Sequence, residues 1–260
     1  MRAGGFGRRS AGAFLGGICC AALASAPASA AEPDAQDLMK RTLEALPRTP
    51  FVARVKLTGD VRGKRELVVK HKIVEGARAT YLEVVAPEFL VGMRFLFQER
   101  VGLPPVQYMR YVSTAVPVLI AHRTRAEPFL GSTFYLADLA EPELDAFTYT
   151  LVGNETVDGR ACKLVEATPK EPEKEVYGKV IVTIDPNDLI ILRRKFFDQE
   201  GHALKEWSAT KVEKVDGNWT VRDQRMKFLP GNLESRIEMT EITYGAEIPD
   251  SVFTKENLAR

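Results

Sequence analysis

The sequence predicts a mainly β protein: a strongly curved antiparallel sheet that forms an incomplete, unclosed barrel, with an N-terminal helix and short lid helices. Three observations carry this. Alternating apolar and polar residues recur in short runs from Phe51 to Tyr244. The runs are joined by tight-turn dipeptides such as Asp158-Gly159 and Asp216-Gly217, which favour two-residue hairpins. A helical period precedes them, and no Pro/Gly-rich linker divides them.

The elements follow in order. Between Pro33 and Leu46, Leu38, Met39, Leu43 and Leu46 recur at helical spacing behind Asp34, which is placed to cap. From Phe51 the period falls to two: Phe51, Ala53, Val55 and Leu57 alternate with Val52, Arg54, Lys56 and Thr58. Similar runs are expected at 66–74, 79–85, 94–98 and 106–112. A less regular stretch covers 113–144. Strands then resume at 147–152, 160–167, 176–185, 189–198, 204–212, 219–228 and 234–244.

The first thirty residues differ from the rest. Arg2, Arg8 and Arg9 precede an apolar run from Ala11 to Ala24, and Ala28-Ser29-Ala30 has the small-x-small form of a cleavage site. This reads as a secretory signal cut near Ala30, leaving 31–260 as a single domain. Its removal leaves 33 basic residues against 35 acidic ones. A surface so balanced argues against nucleic acid as a partner. Of three cysteines, only Cys162 lies outside the signal, so no internal disulfide is possible in the exported form.

Candidate chemistry is sparse. His71, His122 and His202 show no metal-ligand spacing, and no nucleophile elbow or phosphate loop is present. Glu141, Glu143 and Asp145 read as a solvated loop, because paired catalytic carboxylates usually come from different elements. The expectation is a protein without catalytic residues, metal or cofactor. Apolar stripes are plentiful: Phe95 and Phe97 with Met93, Val180, Val182 and Ile184, and Ile190, Leu192 and Phe196. Periodicity alone leaves open whether they close into a core or wall a hollow.

Several segments resemble the outer-membrane lipoprotein-sorting family, the LolA-like carriers of the periplasm. They are "GSTFYLADL" (131–139), "LVGNETVDGRACKLVEATP" (151–169), "VIVTIDPNDLIILRRKFFDQEGHALK" (180–205), "VDGNWTVRDQRM" (215–226) and "IPDSVFTKENL" (248–258). In the first, Thr133 stands where the family commonly has an acid, whereas Phe134, Asp138 and Leu139 fit. The resemblance implies a periplasmic, monomeric carrier that shields the acyl chains of a lipid or lipoprotein. It would take them from an inner-membrane exporter and deliver them to an outer-membrane acceptor. Under that reading Phe95, Phe97, Phe134, Val182, Leu192 and Phe196 wall the cavity, and Leu43 and Leu46 belong to the lid helix. Gly131 and Ser132 form a turn, and Asp138 is a local cap or loop anchor. The alternative is a lipid-sensing or accessory binding domain of an envelope regulatory complex.

Overall fold

In the computed structural model, residues 34–59, 63–99, 103, 105–114, 116–141 and 143–260 are described. The expected export signal lies outside them. Helix α1 (Ala35–Glu44) is followed by strands β1 (Phe51–Gly59), β2 (Arg65–Val74), β3 (Ala77–Ala86), β4 (Arg94–Glu99), β5 (Val106–Arg110) and β6 (Val118–Leu119). After a long connection come β7 (Phe147–Val157), β8 (Arg160–Pro169), β9 (Lys179–Asp185), β10 (Ile190–Phe197), β11 (Ala203–Val215), β12 (Asn218–Phe228), β13 (Leu233–Tyr244) and a last turn of helix, α2 (Lys255–Leu258). A strand forms over each expected run, and β6 is an addition; β4 and β9 hold runs of consecutive buried residues, so alternation of burial is lost there. The helix stops short of Leu46 because Leu46 precedes Pro47, and a residue before proline is pushed out of the helical region.

Among the described residues the thirteen strands form one antiparallel sheet, in the order β6-β5-β4-β3-β2-β1-β13-β12-β11-β10-β9-β8-β7. Two meanders are therefore joined where the first strand pairs with the last, Phe51 opposite Tyr244. The sheet curls without closing, and β6 and β7 remain as free edges. Tight hairpins build the meanders: Asp158 and Gly159, like Asp216 and Gly217, both adopt positive φ, the backbone that matches the twist of flanking strands. Register shifts in β1, β10 and β11 add bends.

One of these bends redirects side chains. In β10, Ile191 lies opposite Ile184 and Arg193 opposite Thr183, so Leu192 is an extra residue. Beyond it Arg194 and Phe196 face the same side as Val182 and Val180. Leu192 instead packs with Val157, Cys162 and Ile190. Two residues of equal parity thus part company across a bulge.

A curled sheet with free edges must cover its concave face, and two segments do so. Leu38 and Met39 of α1 pack on Val165, Val182, Ile184 and Ile191. The connection from Ile120 to Ala146, which we term the strap, crosses the interior. It contributes Phe129, Phe134 and Leu136 to a buried cluster with Leu57, Leu67, Phe95, Phe97 and Met226. Four short turns of 3-10 helix shape it. On the opposite face of β3 and β4, Tyr81 and Leu96 are covered by Ile248, Phe253 and Leu258 from the C-terminal segment.

Polar clasps fix the strap. Thr133 donates its backbone N–H to Ser235 Oγ at 3.0 Å and its hydroxyl to the Met226 carbonyl at 2.6 Å. Asp138 accepts from the Tyr135 backbone N–H, the Tyr177 hydroxyl and Lys205 Nζ, at 2.6, 2.6 and 2.5 Å. Lys205 is fully buried. Further along, the Glu141 backbone N–H donates to Glu99 Oε1 at 3.0 Å, and the Glu141 carboxylate pairs with Arg194 at 2.7 Å. Arg78 stands 3.6 Å from Glu99.

Two outcomes follow from these clasps. Asp138→Asn leaves a buried ammonium without its counter-charge and should cost about 3–5 kcal/mol, read from urea unfolding. The double change Asp138→Leu with Lys205→Met removes both charges and should recover most of that loss. Glu99 behaves differently: burial raises its pKa to about 7, against the pull of Arg78. A carboxyl raised on folding contributes stability that is present below its ordinary value near 4.5 and lost as the pH climbs through about 7. Glu99→Gln should therefore gain stability relative to the native chain between about pH 5 and pH 8, and a constant offset in urea midpoint across that range would refute it.

Candidate functional site

The strap and α1 leave hollows on the concave face. The largest of those described here is about 480 Å³ and lies between the end of α1, the strap and strands β10 to β13. Its apolar wall includes Leu46, Phe134, Ile191, Phe196, Trp207 and Ile237. That volume falls within the roughly 300–1,000 Å³ typical of ligand sites, which are mostly apolar with a few placed polar groups. Alternation puts the wall together: Trp207 is opposite Met226 across β11 and β12, and Gln224 is opposite Ile237 across β12 and β13.

The polar members of the wall are paired. Trp207 Nε1 donates to Gln224 Oε1 at 2.6 Å. The Arg194 guanidinium lies 5.5 Å from the Trp207 ring centroid while it holds Glu141. Asp138 faces the hollow from the strap. Its partner Lys205 has its ammonium 3.5 Å from the Tyr135 ring centroid, a cation–π contact strengthened by desolvation. Burial pulls the Lys205 pKa down to about 8, with Asp138 acting against it. Burial first, and then the Asp138 charge, push the Tyr177 hydroxyl well above its usual range. Tyr177 therefore serves as a hydrogen-bond donor at neutral pH.

Two smaller spaces adjoin this one. A hollow of about 80 Å³ is lined by Met39, Phe147, Tyr149, Tyr177, Val180 and Val182, and it shares Asp138, Arg194 and Phe196 with its larger neighbour. Another of about 130 Å³ lies at the mouth, among Lys40, Leu43, Leu46, Arg78, Glu99 and Leu144. Leu46 and Glu141 border both this space and the largest hollow.

The structure gathers part of the predicted set. Leu46, Phe134 and Phe196 meet in the largest hollow, Val182 faces the small one beside it, and Leu43 lines the mouth. Phe95 lines a separate space of about 230 Å³ near Phe89. Phe97, 1% exposed, packs within the closed cluster under the strap, and Leu192, the extra residue of the β10 bulge, packs with Cys162. Trp207, Met226 and Ile237 were not singled out by sequence, although each lies in a predicted strand. Their alternation marked an inward face but not whether that face meets packing or space.

Among the described residues no group of three or more His, Cys, Asp or Glu is placed to hold a metal ion. Cys162 is buried, its thiol pKa raised by desolvation, with Sγ 3.4 Å from the Arg160 carbonyl. The thiolate that nucleophilic chemistry needs is thereby disfavoured.

Comparison with known proteins agrees with this fold. No curated protein sequence matches the chain. Among solved structures, a DUF1329 family protein from Desulfovibrio piger superposes with a TM-score of 0.79 at 19% identity, covering 86% of this chain and 97% of the other. A domain assigned to outer membrane lipoprotein sorting, from Vibrio parahaemolyticus, gives 0.80 at 18% identity, covering 87% and 98%. A LolA superfamily protein from Nitrosomonas europaea gives 0.66 at 16%, covering 87% and 100%. A family model described as "Uncharacterized protein" matches residues 76–260. The chain belongs to that family, and its fold is the LolA-like fold of these three structures.

Proposed function

We propose that this protein is a non-catalytic, exported carrier that shields acyl chains of a lipid or lipoprotein in the hollow between α1, the strap and β10 to β13. In this reading it works in the periplasm, receives its cargo alongside an inner-membrane exporter and passes it toward the outer membrane. The single observation behind the reading is the hollow of about 480 Å³ walled by Leu46, Phe134, Ile191, Phe196, Trp207 and Ile237. The Vibrio parahaemolyticus domain assigned to lipoprotein sorting supports it through the shared fold.

Apolar cargo suits such a wall. Each methylene removed from water contributes about 0.8 kcal/mol, so a chain with roughly ten buried methylenes gains several kcal/mol after ordering costs. Arg194 lies where the largest and smallest hollows meet and holds Glu141 at the border with the mouth. It is the cation best placed to meet a phosphate or carboxylate at the head of a chain. Cargo release is then favoured by a competing acceptor or by displacement of the cover, because a state that binds the ligand less well shifts the balance toward release.

Protein isolated from cells that make and export it should carry bound lipid, detected by native mass spectrometry and solvent extraction. Ile237→Trp fills the hollow from a strand and should lower the lipid recovered several-fold while leaving the melting temperature equal or higher. Stripping the lipid from the native chain should lower its melting temperature, since a ligand that binds only the folded state stabilises it. Lipid-free protein from such cells, or equal lipid in the variant, would refute the carrier reading.

A further inference from the structure

A second apolar feature lies at the β3–β4 turn and the β5–β6 hairpin, and the hollow described above does not involve it. Phe89, in the turn of 3-10 helix between β3 and β4, is 74% exposed, and Val91 is 46% exposed. Arg110 at the end of β5 donates to the Gly92 carbonyl at 2.8 Å, which ties that turn to β5, and Phe89 and Tyr111 line one space. Tyr111 and Val112 are exposed, and across the hairpin Val116 and Leu119 are 67% and 59% exposed. Large apolar side chains left outside singly are ordinary, but a contiguous group marks a site of contact with something apolar.

The space of about 230 Å³ lies directly behind this lip. Phe89 and Tyr111 flank it, with Leu90, Met93, Phe129 and Leu130 deeper in. Leu130 takes a left-handed backbone, φ 51°, which a branched side chain adopts at a cost. The strap thus turns sharply where it walls the space.

Charge identifies the partner. From Val101 to Ala126 the sequence holds no Asp or Glu, although the chain has 35 of them, and it includes Arg110, His122, Arg123 and Arg125. His122 and Arg123 are exposed just after β6, whereas Arg125 lies 4.0 Å from Glu175. Glu88 and Glu127 stand at the margin of the lip. Protruding aliphatic and aromatic tips beside the exposed Arg123 suit a bilayer interface with anionic headgroups, where binding follows buried apolar area plus attraction to the lipid charge. Protein interfaces concentrate their energy in Trp, Tyr and Arg, with Val and Leu under-represented. Strand addition is disfavoured too, since β6 offers an edge of only two residues.

We infer that this lip is a membrane-docking surface: Phe89, Val91, Tyr111 and Val116 enter the headgroup boundary of an anionic bilayer, and Arg123 meets its phosphates. The space behind Phe89 then opens toward the acyl region. This goes beyond the carrier reading and does not depend on what the main hollow holds.

Flotation of the full chain with vesicles of phosphatidylethanolamine and phosphatidylglycerol tests it. The native chain should float, and Phe89→Asp combined with Val116→Asp should reduce the bound fraction by about tenfold. Arg123→Glu should erase the preference over phosphatidylcholine vesicles. Val152→Asp, at a residue 46% exposed on β7, should change nothing. Because each comparison keeps the same N-terminus, binding by the first thirty residues cancels. A Phe89→Trp probe should be quenched by brominated lipid, which keeps the test open if the double variant fails to fold. Absence of flotation by the native chain, equal flotation of the lip variants, or an unquenched probe would overturn the inference. Were lipid still recovered from the main hollow in that case, the carrier reading would stand and the lip would be a contact for a protein donor.

Discussion

A sheet that curls but does not close has an interior face it cannot cover by itself. Here thirteen strands meet that constraint by routing the connection between their two free-edge strands through the middle of the molecule. Phe129, Phe134 and Leu136 fill one half of the concavity, and α1 roofs part of the other. What neither fills is the hollow beneath Leu46 and Phe134. The candidate site is thus the remainder of a packing problem, and its shape is set by where the strap lies.

The position of the strap depends on buried polar contacts. Hydrophobic packing alone would let a loop of Phe and Leu slide over an apolar surface, because it has no direction. Thr133 fixes the register against β12 and β13, and Asp138 fixes it against Lys205 on β11. A fully buried lysine is expensive to ionise. Three donors on the Asp138 carboxylate and the Tyr135 ring over the ammonium offset that expense. The ion pair specifies one arrangement of the strap more than it adds to stability.

Much of this was legible in sequence, for identifiable reasons. Two-residue periodicity and Asp-Gly turns are local signals, so the strands and their hairpin turns could be read directly. "GSTFYLADL" was recognisable as a turn with an inward Phe134 and an anchoring Asp138, and both occupy those roles. Its partner Lys205 was not, since the two are 67 residues apart and a lysine in a strand reads as solvent-facing. Thr133, within the same stretch, turns out to be a buried clasp. Leu192 shows the other limit: it shares parity with Phe196, and only the β10 bulge, which no residue type announces, places them apart.

The two covers of the hollow are attached by different forces. The strap cannot leave without exposing Lys205 and Asp138 to each other's absence, a change opposed by the desolvated charges on both sides. The contacts that dock α1 are apolar, through Leu38 and Met39, while Thr42 bonds to the Leu38 carbonyl and Arg41 faces Asp37, both within the helix. Beyond the helix, Thr49 reaches Asn218 at 3.3 Å. Apolar contacts tolerate small shifts at little cost, and regions held by few directional bonds open at the low end of the stability range. Of the two covers, α1 is therefore the one held by fewer directional bonds, with Leu43 and Leu46 at its C-terminal end beside the hollow, and the strap is the more firmly fixed.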